Sequence, residues 1–471
     1  MSKSGYGMAR DQMKNFKQMN KSAITPDKTP EYRRMGSFSA VAVLIGMVIG
    51  VGIFRLPSIV AGHAANEADF ILFWIAGGII AFSGSLCYAA LSMRMPDSGG
   101  EYTFLRRSIG PSTAYLFAWG RVSVIQTGSL ALVALIFGDY ATSIANLGAN
   151  SNTIYAALLV IVLTVINMSG TRQSSKIQNL LAALVIGALI TLCLTALFHN
   201  SGEGHNGVLL TPGQVTDWSV SMPGLAMIFV LLTFGGWNEA AYLTGELRNA
   251  RQTIGRVLTG SVILITLLYV GINLAYIHIM GLDGLRNSAA PGQELSEALF
   301  GQLGSAVIVS IIIIAAISTA NATIITGSRS LFALGRDYPE FRLVGKWNER
   351  RDTPGHALAV QGFVALILLA AGTLSSDNLS AVVDFTAPVF WFFILMVIIG
   401  LFKLQYQNSE AGYKQNIPLY PLPALLFLAA CIYMLYSSLT YTGTGAFFGV
   451  IVLLLGFVLK KGLYFFAADK T

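Results

Sequence analysis

What this sequence has least of is charge. Only 11% of its 471 residues are Asp, Glu, Lys or Arg, against roughly 25% in an average soluble domain. A soluble globular protein is excluded. Cysteine is nearly missing as well: Cys87, Cys193 and Cys431 all lie inside apolar segments, which excludes a disulfide framework and a paired-cysteine metal site. The five histidines are scattered. No G-x-x-x-x-G-K-S/T phosphate loop and no H-E-x-x-H motif occurs, so the usual marks of an ATP-driven pump and a zinc protease are gone. An intramembrane enzyme would need a Ser-His, paired-Asp or metal constellation, and none is found. The chain therefore reads as no enzyme and implies no cofactor. The net charge of +7 would suit nucleic acid only if Lys and Arg gathered on one accessible face, whereas they sit in short loops between apolar runs.

What is there is apolar: 54% of the residues are hydrophobic and the mean hydropathy is +0.64. Twelve membrane helices of about 20 residues need roughly 240 positions, close to the number of hydrophobic residues available. Apolar runs fall at 37–63, 70–93, 112–138, 153–169, 177–198, 222–247, 256–281, 303–327, 356–373, 380–402, 419–438 and 442–464, which predicts an all-α integral membrane protein with twelve transmembrane helices. Residues 1–36 form a polar tail with eight Lys or Arg and three acids, and without the apolar stretch of a cleaved signal. Alternating the loops between the two sides places 27 of the 30 Lys and Arg on one side. Such loops mark the cytoplasm, so both termini are expected there, in a multi-pass protein of the inner or plasma membrane. Arg286 is alone in an opposite-side loop, and Arg55 and Arg121 fall within spans one and three.

Spans one and six carry paired glycines mid-membrane, in Ile45-Gly46-Met47-Val48-Ile49-Gly50-Val51-Gly52-Ile53-Phe54 and Leu231-Leu232-Thr233-Phe234-Gly235-Gly236-Trp237-Asn238. Small residues there either let helices pack closely or break the helix. A break strands backbone groups at several kcal/mol each unless a cavity or ligand satisfies them. Breaks at corresponding places in two five-helix halves point to an inverted-repeat transporter with a midplane site. Free N–H groups near Gly52 and Ile53 suit a carboxylate, and free carbonyls near Val48, Ile49, Thr233 and Phe234 suit an ammonium. Together they describe a site for the zwitterion of an α-amino acid, with Gly50, Val51, Leu232 and Gly235 in the same stretches and Trp237 and Asn238 just past the second break.

At these residues the chain resembles the amino acid-polyamine-organocation superfamily, and within it the L-type amino-acid transporters and their bacterial relatives. The stretches that carry the resemblance are Gly50 to Phe54, Met95-Pro96-Asp97-Ser98-Gly99-Gly100-Glu101-Tyr102, Phe234 to Asn238 through Glu246, and Gly327-Ser328-Arg329 through Gly335-Arg336-Asp337. The resemblance implies a LeuT-like 5+5 inverted repeat with broken helices 1 and 6 plus two peripheral helices. The transport core would be 37–405, with repeats at 37–198 and 222–405, and 406–471 would hold helices 11 and 12 and the cytoplasmic C-terminus. It implies alternating access, with Val48, Val51 and Gly52 on the substrate backbone and Leu232 and Gly235 opposite. Two departures are visible. Val185 stands where many relatives have a lysine, and Leu232 where L-type members place an aromatic gate. The stretch Asp139 to Asn152 lacks the cysteine by which animal members join an accessory subunit, so no disulfide-linked partner is expected.

Charges in the membrane cost about 2.5 to 3.5 kcal/mol each when unpaired. Glu239 and Arg121 therefore either couple or gate transport, as a proton or cation site and an anion reader, or form with Arg55 an ion pairing that locks helices 1, 3 and 6. Glu246 reads as part of an inner gate or a basic loop. Ser318 and Thr319 either offer hydroxyls to Na+ or bond back to their own helix; no metal site is assigned. The expected function is secondary active transport of α-amino acids, neutral ones first because no charge sits at the breaks, as an exchanger or an ion-coupled symporter. A cationic amino-acid or polyamine transporter or antiporter is the alternative, and a channel a remote one. The expected partners are the amino acid, the lipid bilayer and either H+ or Na+, with no nucleic acid.

Overall fold

The computed structural model describes residues 37–95, 99–170, 175–199, 222–244, 247, 250–338, 341–351, 353–374, 377–410 and 417–468. The tail at 1–36, the Pro96–Ser98 part of the Met95–Tyr102 stretch, and Glu246 lie outside the described residues. The described residues are almost all helical, and Asn348 and Thr353 form an isolated bridge. The first span is α1 (Ser37–Val48), a 3-10 turn (Val51–Phe54) and α2 (Leu56–Gly62). Then come α3 (Glu67–Arg94), the short α4 (Gly100–Ser108), α5 (Pro111–Gly120), a π turn (Arg121–Ile125) continuing into α6 (Gln126–Ile144), α7 (Ser151–Met168) and α8 (Ser175–Phe198). The sixth span is α9 (Pro223–Thr233), a 3-10 turn (Trp237–Glu239) and α10 (Ala240–Leu243), followed by α11 (Ala250–Asn287), α12 (Pro291–Asp337), α13 (Gly355–Gly372), α14 (Asn378–Glu410), α15 (Leu422–Tyr441) and α16 (Gly443–Ala468).

Among the described residues, nine helical stretches of at least 18 residues are apolar enough to cross a membrane, and two shorter apolar helices lie at Pro223–Thr233 and Gly443–Val458. The protein is a multi-pass membrane protein. On α7, Leu158, Ile161, Val162 and Val165 are exposed while Ala156, Val160 and Leu163 are buried; in a bilayer both faces meet hydrocarbon, one from lipid and one from protein. Local signals set the helix starts. The Asn66 side chain accepts from the Asp69 N–H at 2.8 Å, a cap that satisfies one of the first orphan donors, and Glu67 and Asp69 in the first turn of α3 oppose the positive end of the helix dipole. In the core, α3 packs along α11, and α6 lies against α7 and α12.

The structure departs from the sequence reading between spans seven and eight. A loop is expected at 282–302, but α11 and α12 extend toward each other as helical legs beyond Gly281 and Gly301, which take left-handed φ of 67° and 70°. Glycine alone adopts that conformation freely, so each helix turns sharply there without a side-chain penalty. Arg286 on this segment donates to the carbonyls of Ala61 at 2.9 Å and Ala64 at 2.6 Å, satisfying acceptors at the C-terminal end of α2.

Candidate functional site

The two breaks touch. After α1 the Gly50 backbone is extended and its N–H donates to the Val48 carbonyl at 2.8 Å. After α9 the Phe234 and Gly235 N–H groups close on Val230 and Leu232, and Gly236 turns the chain at φ 105°. A Cβ on Gly236 would sit 2.8 Å from the Met47 carbonyl oxygen and 3.4 Å from the Val48 Cα. Only glycine lets this second break rest on the end of α1. A Cβ on Gly52 would meet the Thr233 side chain at 3.7 and 3.8 Å, and one on Gly50 would meet Thr319 Oγ1 at 3.4 Å. Spans one, six and eight therefore converge here.

Backbone acceptors from both breaks share one donor. The Tyr269 hydroxyl on α11 lies 2.9 Å from the Val48 carbonyl oxygen and 3.2 Å from that of Thr233. A phenol has one hydrogen, so the two carbonyls divide it. The second half of span one is fixed the same way, with the Tyr140 hydroxyl on the Phe54 carbonyl at 2.8 Å and the Tyr276 hydroxyl on that of Ile53 at 3.4 Å. The first N–H groups of the Val51–Phe54 turn have no carbonyl within their own turn to bond.

The walls are apolar. Val48, Ile49, Val51, Ile53 and Phe234 are buried, and Leu232 packs half-buried against the same core. Trp237 packs edge-on against Tyr88 and Phe427, at centroid distances of 5.0 and 5.9 Å. With Gly235 and Asn238 it lines a cavity of about 10 Å³ closed by Phe390, Trp391 and Phe427, room for about one water. A crevice of about 320 Å³ lined by Leu194, Phe198 and Phe300 lies away from the breaks.

Arg55, Arg121 and Glu239 are paired. Arg121 grips Glu239 through one guanidinium nitrogen at 2.7 and 2.8 Å, reaches Glu101 at 3.3 Å and Ser330 at 3.0 Å, and lies 4.5 Å from the Tyr242 ring centre. This pair joins spans three and six; span one takes no part in it. Arg55 instead approaches Asp139 of α6 at 3.7 Å and Ser58 at 2.7 Å, because it leaves the turn on the opposite side of the break. Ser318 is buried and Thr319 lies against Gly50. Val185 is buried in the core. Tyr269 and Glu101 are absent from the sequence-derived site. Glu101 stands within the Met95–Tyr102 stretch, which is the signal that could have found it.

With a helical membrane fold, two touching helix breaks with apolar walls, and relatives that are transporters, the protein is a transporter of small solutes, not an enzyme. The chain belongs to the amino acid permease family, whose model matches residues 35–458. It is similar to the b(0,+)-type amino acid transporter 1 of Mus musculus, 27% identical over 440 residues that make up 90% of this chain and 87% of the relative. The serine/threonine exchanger SteT of Bacillus subtilis (strain 168) is 25% identical over 411 residues, 86% of this chain and 91% of SteT. The Asc-type amino acid transporter 1 of Mus musculus is 28% identical over 437 residues, 90% and 80% of the two chains.

Proposed function

We propose that the protein moves neutral α-amino acids across the cell membrane by alternating access, as an exchanger. In this reading twelve helices cross the membrane, ten of them in a LeuT-like 5+5 inverted repeat, and both termini are cytoplasmic. The single observation that carries it is the Tyr269 hydroxyl divided between the Val48 and Thr233 carbonyls. The Val48 carbonyl also takes the Gly50 N–H, so it is chiefly the Thr233 carbonyl, with a share of one hydrogen, that keeps bonding capacity for a substrate ammonium, and the N–H groups at the start of the Val51–Phe54 turn would meet its carboxylate. The apolar walls favour a neutral side chain. Glu239, the residue a cationic substrate would need, is engaged by Arg121, which weighs against the cationic and polyamine reading. Exchange is supported by the exchanger relative from Bacillus subtilis.

The test is uptake of labelled neutral and cationic L-amino acids into proteoliposomes, empty or preloaded with unlabelled amino acids, without an ion gradient. Preloading is expected to raise uptake of neutral amino acids at least tenfold. Uptake that needs an imposed H+ or Na+ gradient and ignores preloading would replace exchange with symport.

A further inference from the structure

Among the described residues, two carboxylates reach Arg121, and they are held differently. Glu239 takes the guanidinium at 2.7 and 2.8 Å and keeps a side-chain exposure of 16%; Glu101 stands at 3.3 Å and is 2% exposed, as is Arg121. The deeper carboxylate is otherwise occupied. It accepts from the Tyr88 hydroxyl at 2.7 Å, the Asn238 amide at 3.0 Å and the Tyr242 hydroxyl at 3.1 Å. For a single buried arginine one carboxylate balances the charge, and the second adds the desolvation of another ion. A second state of the molecule, in which Arg121 keeps only one of the two, would give each carboxylate a use.

The attachments of the two acids say what that state is. Glu239 comes after the Gly235-Gly236 break, and Asn238 and Tyr242 lie on the same short segment, so the three move as one if that segment swings about the glycines. Glu101 sits on α4, which packs against α5, the helix that leads directly into Arg121, and it is tied to α3 through Tyr88. It stays with Arg121. When the segment leaves, Arg121 loses Glu239, and at the same moment Glu101 loses two of its competing donors. A buried arginine stripped of its partner costs several kcal/mol, and the freed Glu101 removes that penalty.

We propose that Glu101 is a positioning residue of the transport cycle that takes over Arg121 when Glu239 withdraws. The pair Arg121–Glu239 marks the closed gate on the α4 side of the protein, and Arg121–Glu101 the open one. This rests on the alternating-access reading above. It assigns Glu101 no contact with substrate.

The experiment uses the full-length protein in proteoliposomes and labelled neutral L-amino acids, with wild type, Glu101→Gln, Glu239→Gln, Arg121→Met and the Arg121→Met/Glu101→Gln double variant. Glu101→Gln is expected to slow exchange at least tenfold while the thermal shift produced by substrate in detergent is unchanged. In the Arg121→Met background the same substitution is expected to cost no more than twofold, because its role is to hold an arginine no longer there. Glu239→Gln weakens only the closed gate, so uptake into empty vesicles rises relative to exchange, and this comparison decides the matter should Glu101→Gln fail to fold. Exchange by Glu101→Gln within twofold of wild type, a further tenfold loss in the Arg121→Met background, or Glu239→Gln without any rise in empty-vesicle uptake overturns the proposal. A wild type that exchanges no amino acid at all, with or without ion gradients, removes the transporter reading instead.

Discussion

The Tyr269 hydroxyl bonds the carbonyl of Val48, the last residue of α1, across 221 positions of sequence. Through its second acceptor, the Thr233 carbonyl, it ties the two helix breaks to a third helix at the point where substrate is proposed to bind.

Tyr269→Phe removes that shared hydrogen from the Thr233 and Val48 carbonyls, of which Val48 keeps the Gly50 N–H. The substrate-free variant should lose about 1–3 kcal/mol of stability. A substrate ammonium supplies donors to the same oxygens, so the stabilisation by saturating amino acid should be larger in the variant than in wild type. Thermal unfolding with and without amino acid checks this; equal shifts in the two proteins count against an ammonium at Val48 and Thr233.

Gly52 faces Thr233 and Leu56, with only ordinary contact room for one methyl. Valine there pushes two branches into the gap where the carboxylate is proposed to lie. Gly52→Val should fold, elute as a single species and transport at less than a tenth of the wild-type rate. Wild-type uptake by this variant removes the zwitterion site from the first break.

Gly236 combines φ 105° with backbone 2.8 Å from its missing Cβ. Gly236→Ala should cost at least about 1–2 kcal/mol for the left-handed conformation alone, with a further loss from contact with the Met47 carbonyl. Both stability and transport should fall, and substrate should recover little of the stability, in contrast to Tyr269→Phe. Melting curves for the two variants separate strain from a missing donor.

The cavity beside Gly235 has room for only about one water because Phe390, Trp391 and Phe427 close it. If substrate side chains point there, Phe390→Ala should shift preference toward larger apolar amino acids. Competition of phenylalanine and leucine against labelled serine or alanine measures this, and a change of at least fivefold in the ratio is expected. An unchanged ratio places the side-chain pocket elsewhere.

Both breaks were legible because glycine pairs in the middle of an apolar run leave few alternatives, and the long runs themselves announced the membrane. Tyr269 was not legible: it lies in the regular stretch of α11 ahead of Gly281, and only the fold shows which oxygens its hydroxyl meets. Glu101 was visible as part of a motif, but its role depends on Tyr88, Arg121, Asn238 and Tyr242, contributed by three separate segments. The pairing of Arg121 with Glu239 was one of two open readings, and distance decides that they meet. The helical legs around Gly281 and Gly301 escaped notice because Asp283, Arg286 and Asn287 break the apolar pattern that signals a span, whereas a helix outside the membrane core has no need of that pattern.

The π turn at Arg121–Ile125, closed by the Gln126 N–H on the Arg121 carbonyl, has a consequence for the third span as a whole. A π turn holds one residue more than an α turn over the same rise, so α6 is out of phase with α5 by roughly the 100° that one residue contributes. Arg121 faces Glu101 and Glu239, and Gln126, at the next turn, reaches the Thr323 carbonyl and the Thr326 hydroxyl of α12 at 3.1 and 2.8 Å. The span is in effect two rods on one axis with a fixed phase offset. Removing a single residue from 121–125 would keep the hydrophobic composition nearly unchanged, yet it would rotate one rod against the other and turn either the arginine or the glutamine away from its partners.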